Sequence, residues 1–177
     1  MKKIFMITGK TGAGKTTLCE KLGDYFEYPI LSFSDMRKEF AYVNGYKRIR
    51  DCYLAMGLND FKTKISEHFL KIINERLNTN DVIIIDGLYI DEVAKTLMEN
   101  YNGKIIYLKA DDYIRYKRIS QKLSITIDNA KIDNDEKERL KNEVGIETLI
   151  KNADIVINGN KSQDEVFNMT KLFIEES

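Results

Sequence analysis

The sequence predicts an α/β fold, a parallel β-sheet covered by helices on both faces, and three observations carry the prediction. Short apolar runs alternate with longer stretches of helical spacing. The runs are about five residues long and rich in β-branched side chains, as fully buried parallel strands are. The first run leads directly into a glycine-rich segment and then a helix.

The runs are Lys3–Thr8, Ile30–Phe33, Val82–Asp86, Lys104–Lys109 and Asp154–Asn158. Ile30–Phe33 is the weakest, and the one proline, Pro29, stands just before it. Helical spacing covers Lys15–Phe26, Phe61–Leu77, Asp91–Asn100, Asp112–Lys122, Asp135–Lys151 and Gln163–Glu175. Within Phe61–Leu77, the apolar positions Ile65, Phe69, Ile72 and Ile73 keep the 3.6-residue period. Several of these segments open on an acidic or polar residue suited to an N-cap. Two stretches break the rhythm, Phe40–Asp60 and Leu123–Asp135. Both are rich in charge and in Asn or Gly, and both are candidates for mobile segments that close over a ligand.

Composition narrows the function classes. A chain of 177 residues with 43% apolar residues is expected to bury one core without disulfides or metals. Lys and Arg total 28, as do Asp and Glu. That balance argues against a nucleic-acid polymer or a membrane surface as partner, while leaving room for a local basic pocket. Cys19 and Cys52 have no metal-like spacing and read as reduced, partly buried thiols. The single histidine, His68, lies within a helical stretch and reads as a packing or surface residue. No run approaches the roughly 20 apolar residues of a spanning helix, and the N-terminal run is too short for a signal peptide. The expectation is a cytoplasmic protein.

The glycine-rich segment carries the chemistry. Gly9-Lys10-Thr11-Gly12-Ala13-Gly14-Lys15-Thr16 matches G-x-x-x-x-G-K-[ST], with a strand before it and a helix after it. Glycines let successive N–H groups point inward, and the helix N-terminus adds a positive dipole end for a phosphate. Gly9, Thr11, Gly12, Ala13 and Gly14 would cradle the phosphates, and Lys15 would bridge the β- and γ-phosphates. Thr16 would ligate Mg²⁺ through its hydroxyl, and Thr17 would reach the α-phosphate.

With that loop as anchor, the chain resembles the nucleoside monophosphate kinase group of phosphate-loop proteins, in particular the small adenylate-kinase-related and dephospho-coenzyme A kinase-like members. The likeness extends over nearly the whole chain. Beyond the loop it rests on Ser34-Asp35-Met36-Arg37, Ile85-Asp86-Gly87, Ala110-Asp111-Asp112 with Ile114-Arg115-Tyr116-Lys117-Arg118, and Ala153–Gly159. The resemblance implies a phosphate-loop NTPase fold with a five-stranded parallel sheet in the order 2-3-1-4-5. It also implies a single domain over residues 1–177, a helical acceptor-binding region at about 36–80 and a short lid region at about 112–135. ATP and Mg²⁺ are the implied cofactors, and a small nucleotide-like molecule is the implied partner, on a monomer or homodimer.

Site residues beyond the loop follow from position and chemistry. Arg115 and Arg118 are three apart on one helix and share a face, to clamp phosphates or to stack on the adenine. Asp86 ends a strand beside the loop, placed to hold Mg²⁺ through a bound water. Relatives often carry an Arg two residues after this Asp-Gly pair, where Leu88 and Tyr89 stand here. Asp35 follows the second strand, at the edge where open parallel sheets bind ligands. It would orient a phosphate acceptor or serve as general base toward a hydroxyl acceptor, unless it only caps the helix that follows. Arg37 is the natural ligand of an acceptor phosphate, although the usual spacing after such an Asp falls on Lys38. Lys47, Arg48 and Arg50 form a basic cluster that could meet the same phosphate. Asn158 and Gly159 follow the last strand, where the resemblance puts adenine contacts and where an Asn-Gly turn is the plainer reading.

The expected function is therefore ATP-dependent transfer of a γ-phosphoryl group to a small acceptor, with a nucleoside or deoxynucleoside monophosphate in first place. A dephospho-coenzyme A kinase-like enzyme with a hydroxyl acceptor is the alternative within the class. A nucleotide-binding module or sensor with weak ATPase activity is the alternative outside it. No Asn-Lys-x-Asp segment, the signature of a guanine-specific switch, occurs in the chain.

Overall fold

The computed structural model describes residues 2–177, the side chains of Asp133 and Glu136 excepted. Its elements in chain order are β1 (Lys3–Thr8), α1 (Lys15–Phe26), β2 (Ile30–Ser32), α2 (Phe33–Val43), α3 (Ile49–Met56), α4 (Leu58–Leu77), β3 (Val82–Asp86), α5 (Asp91–Asn100), β4 (Asn102–Lys109), α6 (Asp112–Leu123), α7 (Ile127–Glu143), α8 (Ile146–Lys151), β5 (Ile155–Asn158) and α9 (Gln163–Glu176). The strands form one five-stranded sheet in the order β2-β3-β1-β4-β5. Every pairing is parallel. This is the phosphate-loop NTPase sheet.

Alternation along β1 builds two cores at once. Ile4 and Met6 point to the face covered by α2, α4, α5 and α8, where they meet Phe33, Phe69, Ile73, Leu97 and Leu149. Phe5 and Ile7 point to the opposite face and pack with Leu18, Leu22, Val166 and Ile174 of α1 and α9. A period of two on a strand with both faces covered produces this division. Truncation of a fully buried side chain such as Phe69 to Ala costs about 3–5 kcal/mol, because the cavity adds to the lost transfer energy.

Register aligns the site. Ile7 of β1 and Ser32 of β2 both stand opposite Asp86 of β3. The C-terminal ends of these strands therefore open together on one edge, and the phosphate loop, Asp86 and the start of α2 gather there.

The two stretches expected to be irregular are mostly helical. Residues 40–60 contain the end of α2, all of α3 and the start of α4. In α3, Cys52 is fully buried, and Ile49, Tyr53 and Met56 pack beside it at helical spacing. Residues 123–135 enter α7 at Ile127, whose N-cap Thr126 accepts from the Asn129 N–H. The segment 135–151, expected as one helix, is two: α7 ends at Glu143 and α8 begins at Ile146. Gly145 sits between them at φ 109°, against the Asp91 carboxylate. Phe33 belongs to α2 rather than to the second strand. Among the described residues, no helix is long and apolar enough to cross a membrane.

Candidate active site

The loop after β1 takes conformations that only glycine holds easily. Gly9, Gly12 and Gly14 have φ values of 146°, 82° and 103°. A Cβ on Gly12 would lie 2.7 Å from the Arg115 carbonyl oxygen, so loop and α6 touch through backbone there. Lys15 opens α1, and its Nζ donates to the Lys10 carbonyl at 3.0 Å. Burial holds the pKa of this ammonium below the ordinary lysine value, against the pull of Asp86 and Glu138.

Thr16 lies in the first turn of α1, and its Oγ1 donates to Asp86 Oδ2 at 2.8 Å. The loop hydroxyl and the carboxylate at the end of β3 thus face the same point. Cys19, one turn further into α1, is buried beside Asp86. Burial, and then Asp86, push its thiol well above the ordinary value, so it stays protonated and serves as packing.

The structure puts the two arginines of α6 to different uses. Arg118 donates to the Ala13 carbonyl at 3.1 Å and the Gly159 carbonyl at 2.9 Å, on the wall of the cavity beside the loop. Arg115 is 1% exposed and does not line the cavity. It donates to the Thr11 carbonyl at 2.8 Å and to Asp112 at 2.7 Å. Where a phosphate clamp was expected, the Arg115 guanidinium bridges the loop at Thr11 and Asp112 of its own helix, with Nε unpartnered among the described residues.

A cavity of about 1010 Å³ runs from the loop across the sheet edge to α3. Thr11, Gly12, Ala13, Gly14, Lys15, Thr16 and Thr17 line one end, with Asp86 and Gly159 beside them. Arg37, Arg48, Arg50 and Tyr53 line the other. Arg37 is held by Tyr89, whose buried hydroxyl accepts from Nη1 at 2.8 Å. Gly9 is buried beneath the loop. Lys47 lies apart, in a surface depression with Tyr42 and Tyr46.

Two expected residues are not brought in. The Asp35 side chain is 68% exposed, pairs with Lys38 at 2.7 Å and does not line the cavity. The Lys38 hydrogen bond holds its carboxyl below the ordinary value. Asp35 is not the N-cap of α2 either, since Ser32 fills that place and accepts the Asp35 N–H. Asn158 turns inward on its own loop, where its Oδ1 accepts from the Asn160 N–H at 3.0 Å. The turn reading holds there.

Helix α7 supplies residues that sequence reasoning missed. Glu138 Oε1 accepts the Thr11 N–H at 2.9 Å. Lys141 Nζ donates to Thr11 Oγ1 at 2.7 Å and to Glu138 Oε1 at 3.0 Å. Burial lowers the Lys141 pKa to about 7, with repulsion from Lys15 adding to the effect and Glu138 opposing it. Asn134, Lys137 and Arg139 of the same helix also line the cavity. The available signal was the Glu138–Lys141 spacing of three on a helix, which pairs opposite charges.

A parallel sheet of this order, with a glycine loop at the end of its central strand and an acid at the end of the next, defines a phosphate-loop kinase of the nucleoside monophosphate kinase-like class. A family model described as an AAA domain matches residues 6–141, and the chain belongs to that family. It is a nucleotide kinase-like phosphotransferase. Cytidylate kinase of Staphylothermus marinus is 26% identical over 180 residues, covering 98% of this chain and 97% of that protein. Cytidylate kinase of Pyrobaculum calidifontis is 24% identical over 137 residues, covering 77% and 70%. Shikimate kinase from Bacteroides thetaiotaomicron shares the fold, with a TM-score of 0.63 at 16% identity over 98% of both chains.

Proposed function

We propose that the protein transfers the γ-phosphoryl group of ATP–Mg²⁺ to a nucleoside monophosphate, with cytidine monophosphate the first acceptor to test. The observation that carries this reading is the single cavity that joins the phosphate loop to Arg37, Arg48 and Arg50. A donor site with a cationic acceptor end is what transfer between two phosphates requires. The similarity to two cytidylate kinases, one along almost the whole chain, supports the choice of acceptor.

The roles follow from the residues. The loop amides and Lys15 hold the triphosphate, and Arg118 ties the loop at Ala13 to Gly159 after β5. Arg37, oriented by Tyr89, and Arg50 bind the acceptor phosphate. Thr16 and Asp86 offer hard oxygen donors 2.8 Å apart, a set that suits Mg²⁺ with its waters and phosphate oxygens. That ion would neutralise charge developing on the phosphates. An acceptor phosphate is already a nucleophile and needs no general base, which agrees with Asp35 standing outside the cavity. In this reading α2–α4 form the acceptor region and α6–α7 form the lid, which reaches Glu143 rather than stopping near 135.

The test mixes the protein with ATP and Mg²⁺ and follows ADP release with cytidine, uridine, adenosine and deoxycytidine monophosphates and with dephospho-coenzyme A. Stimulation by a monophosphate is expected, cytidine monophosphate foremost. Stimulation by dephospho-coenzyme A alone would replace the acceptor class, and no stimulation by any would favour a nucleotide-binding module. Lys15→Ala should abolish turnover while leaving the thermal unfolding profile intact.

A further inference from the structure

One amide of the phosphate loop is taken by an acid of the protein itself. Glu138 Oε1 takes the Thr11 N–H and the Lys141 ammonium. Both side chains are only 12% exposed. The Glu138 carboxylate favours the charge of Lys15, and Lys15 in turn repels that of Lys141. A carboxylate that accepts from a loop amide and a lysine Nζ sits where the loop is built to hold phosphate oxygen. Thr11 precedes the amides at the start of α1 that take the inner phosphates, and it is bonded to Lys141, whose charge is repelled by Lys15, the lysine that reaches the β- and γ-phosphates.

A triphosphate and Glu138 cannot share this place, because like charges at contact distance in a half-buried site repel strongly. The latch is also incomplete. Glu138 Oε2 is buried with no hydrogen-bond partner among the described residues. Asn134, one turn earlier on the same face of α7, is 1% exposed, and its amide nitrogen and oxygen are likewise unpartnered. Buried polar groups left unsatisfied favour release to water or to a ligand.

We propose that Glu138 is an internal competitor for the terminal phosphate of the donor nucleotide, setting the affinity for triphosphate relative to diphosphate. When ATP binds, the carboxylate leaves Thr11, and Lys141 passes from Glu138 to the phosphate. α7 thereby becomes the element that registers whether the terminal phosphate is present. This rests on the donor-site reading given above.

Calorimetric titration of ATP and of ADP, each with Mg²⁺, into wild type, Glu138→Gln and Glu138→Ala tests it. Both variants should bind ATP at least about fivefold more tightly than wild type, with a smaller gain for ADP. Thermal unfolding without ligand checks that each variant is folded, and the milder Gln variant decides the matter if the Ala variant is not. Unchanged or weakened ATP affinity, or an equal gain for both nucleotides, overturns the proposal while wild-type ATP binding keeps the donor-site reading. Failure of the wild type to bind ATP removes both.

Discussion

Thr16 Oγ1 and Asp86 Oδ2 meet at 2.8 Å, so the first turn of α1 and the last residue of β3 converge on one point. The contact depends on register, since Ile7, two residues before the loop begins, is the partner of Asp86 across the β1–β3 pair. The two oxygens thus come from separate elements of the fold, a helix and a strand.

Asp86→Asn should therefore raise the Mg²⁺ concentration needed for half-maximal phosphoryl transfer by about tenfold or more and lower kcat. Asn keeps the shape and can still accept from Thr16, so thermal stability without nucleotide should change little. A magnesium titration of initial rates checks this. An unaltered magnesium dependence would remove Asp86 from the metal site.

Arg115 and Arg118 should separate stability from ligand binding. Arg115 is 1% exposed and tied to the Thr11 carbonyl and Asp112, so Arg115→Met leaves a buried carbonyl with a lost donor. The expected loss is about 2–4 kcal/mol of folding stability. Arg118 lies on the cavity wall, and Arg118→Ala should cost about 1 kcal/mol while raising the KM for ATP. Urea unfolding and steady-state kinetics on both variants distinguish them. Equal stability losses would contradict the division of labour.

How far the sequence revealed this site depended on the range of the interactions. The loop is a local motif whose backbone geometry is set by its own glycines, and it was legible in full. The strand order followed from resemblance to related kinases and matches the sheet. Arg115 and Arg118 were found through their spacing, but their separate uses depend on how deep α6 sits against the loop, which spacing does not encode. Glu138 and Lys141 went unread because α7 is almost uniformly polar along its 17 residues, so its two inward charges look like its outward ones. α3 was hidden by the charged and Gly/Asn-rich residues around it, although Ile49, Cys52, Tyr53 and Met56 form a helical stripe. Asp35 was misplaced because the end of β2 is one residue shorter than expected and α2 starts at Phe33, turning Asp35 to solvent.

Gly145 tests the break between α7 and α8. Its φ is 109°, and a Cβ there would stand 2.3 Å from the Asp91 carboxyl carbon. Asp91 is held in place by Lys62 at 2.9 Å, so it cannot yield freely. Gly145→Ala should destabilise the protein by more than about 2 kcal/mol, from backbone strain and the clash together. The urea midpoint reads this directly. A variant as stable as wild type would mean that α7 and α8 can adjust as one helix.

Lys141 makes nucleotide binding proton-linked. Burial holds its pKa at about 7, with Lys15 and Arg37 repelling its charge and Glu138 favouring it, against an ordinary lysine value of 10.5. Between those values the unfolded chain binds the extra proton, so this group's contribution to stability rises with pH across that window and is a penalty below it. A triphosphate beside Lys141 favours the ammonium and raises its pKa. At pH 8, where the amine is mostly neutral, ATP binding should therefore take up close to one proton at this group, and at pH 6 almost none. Lys15, also lowered by burial, adds uptake of its own, so the measurement is the difference between wild type and Lys141→Met. Calorimetry of ATP binding in two buffers of different ionisation enthalpy gives that number. Uptake at pH 8 identical in the two proteins would show that Lys141 does not meet the phosphate. A difference that vanishes by pH 6 would place its titration where burial against the loop puts it.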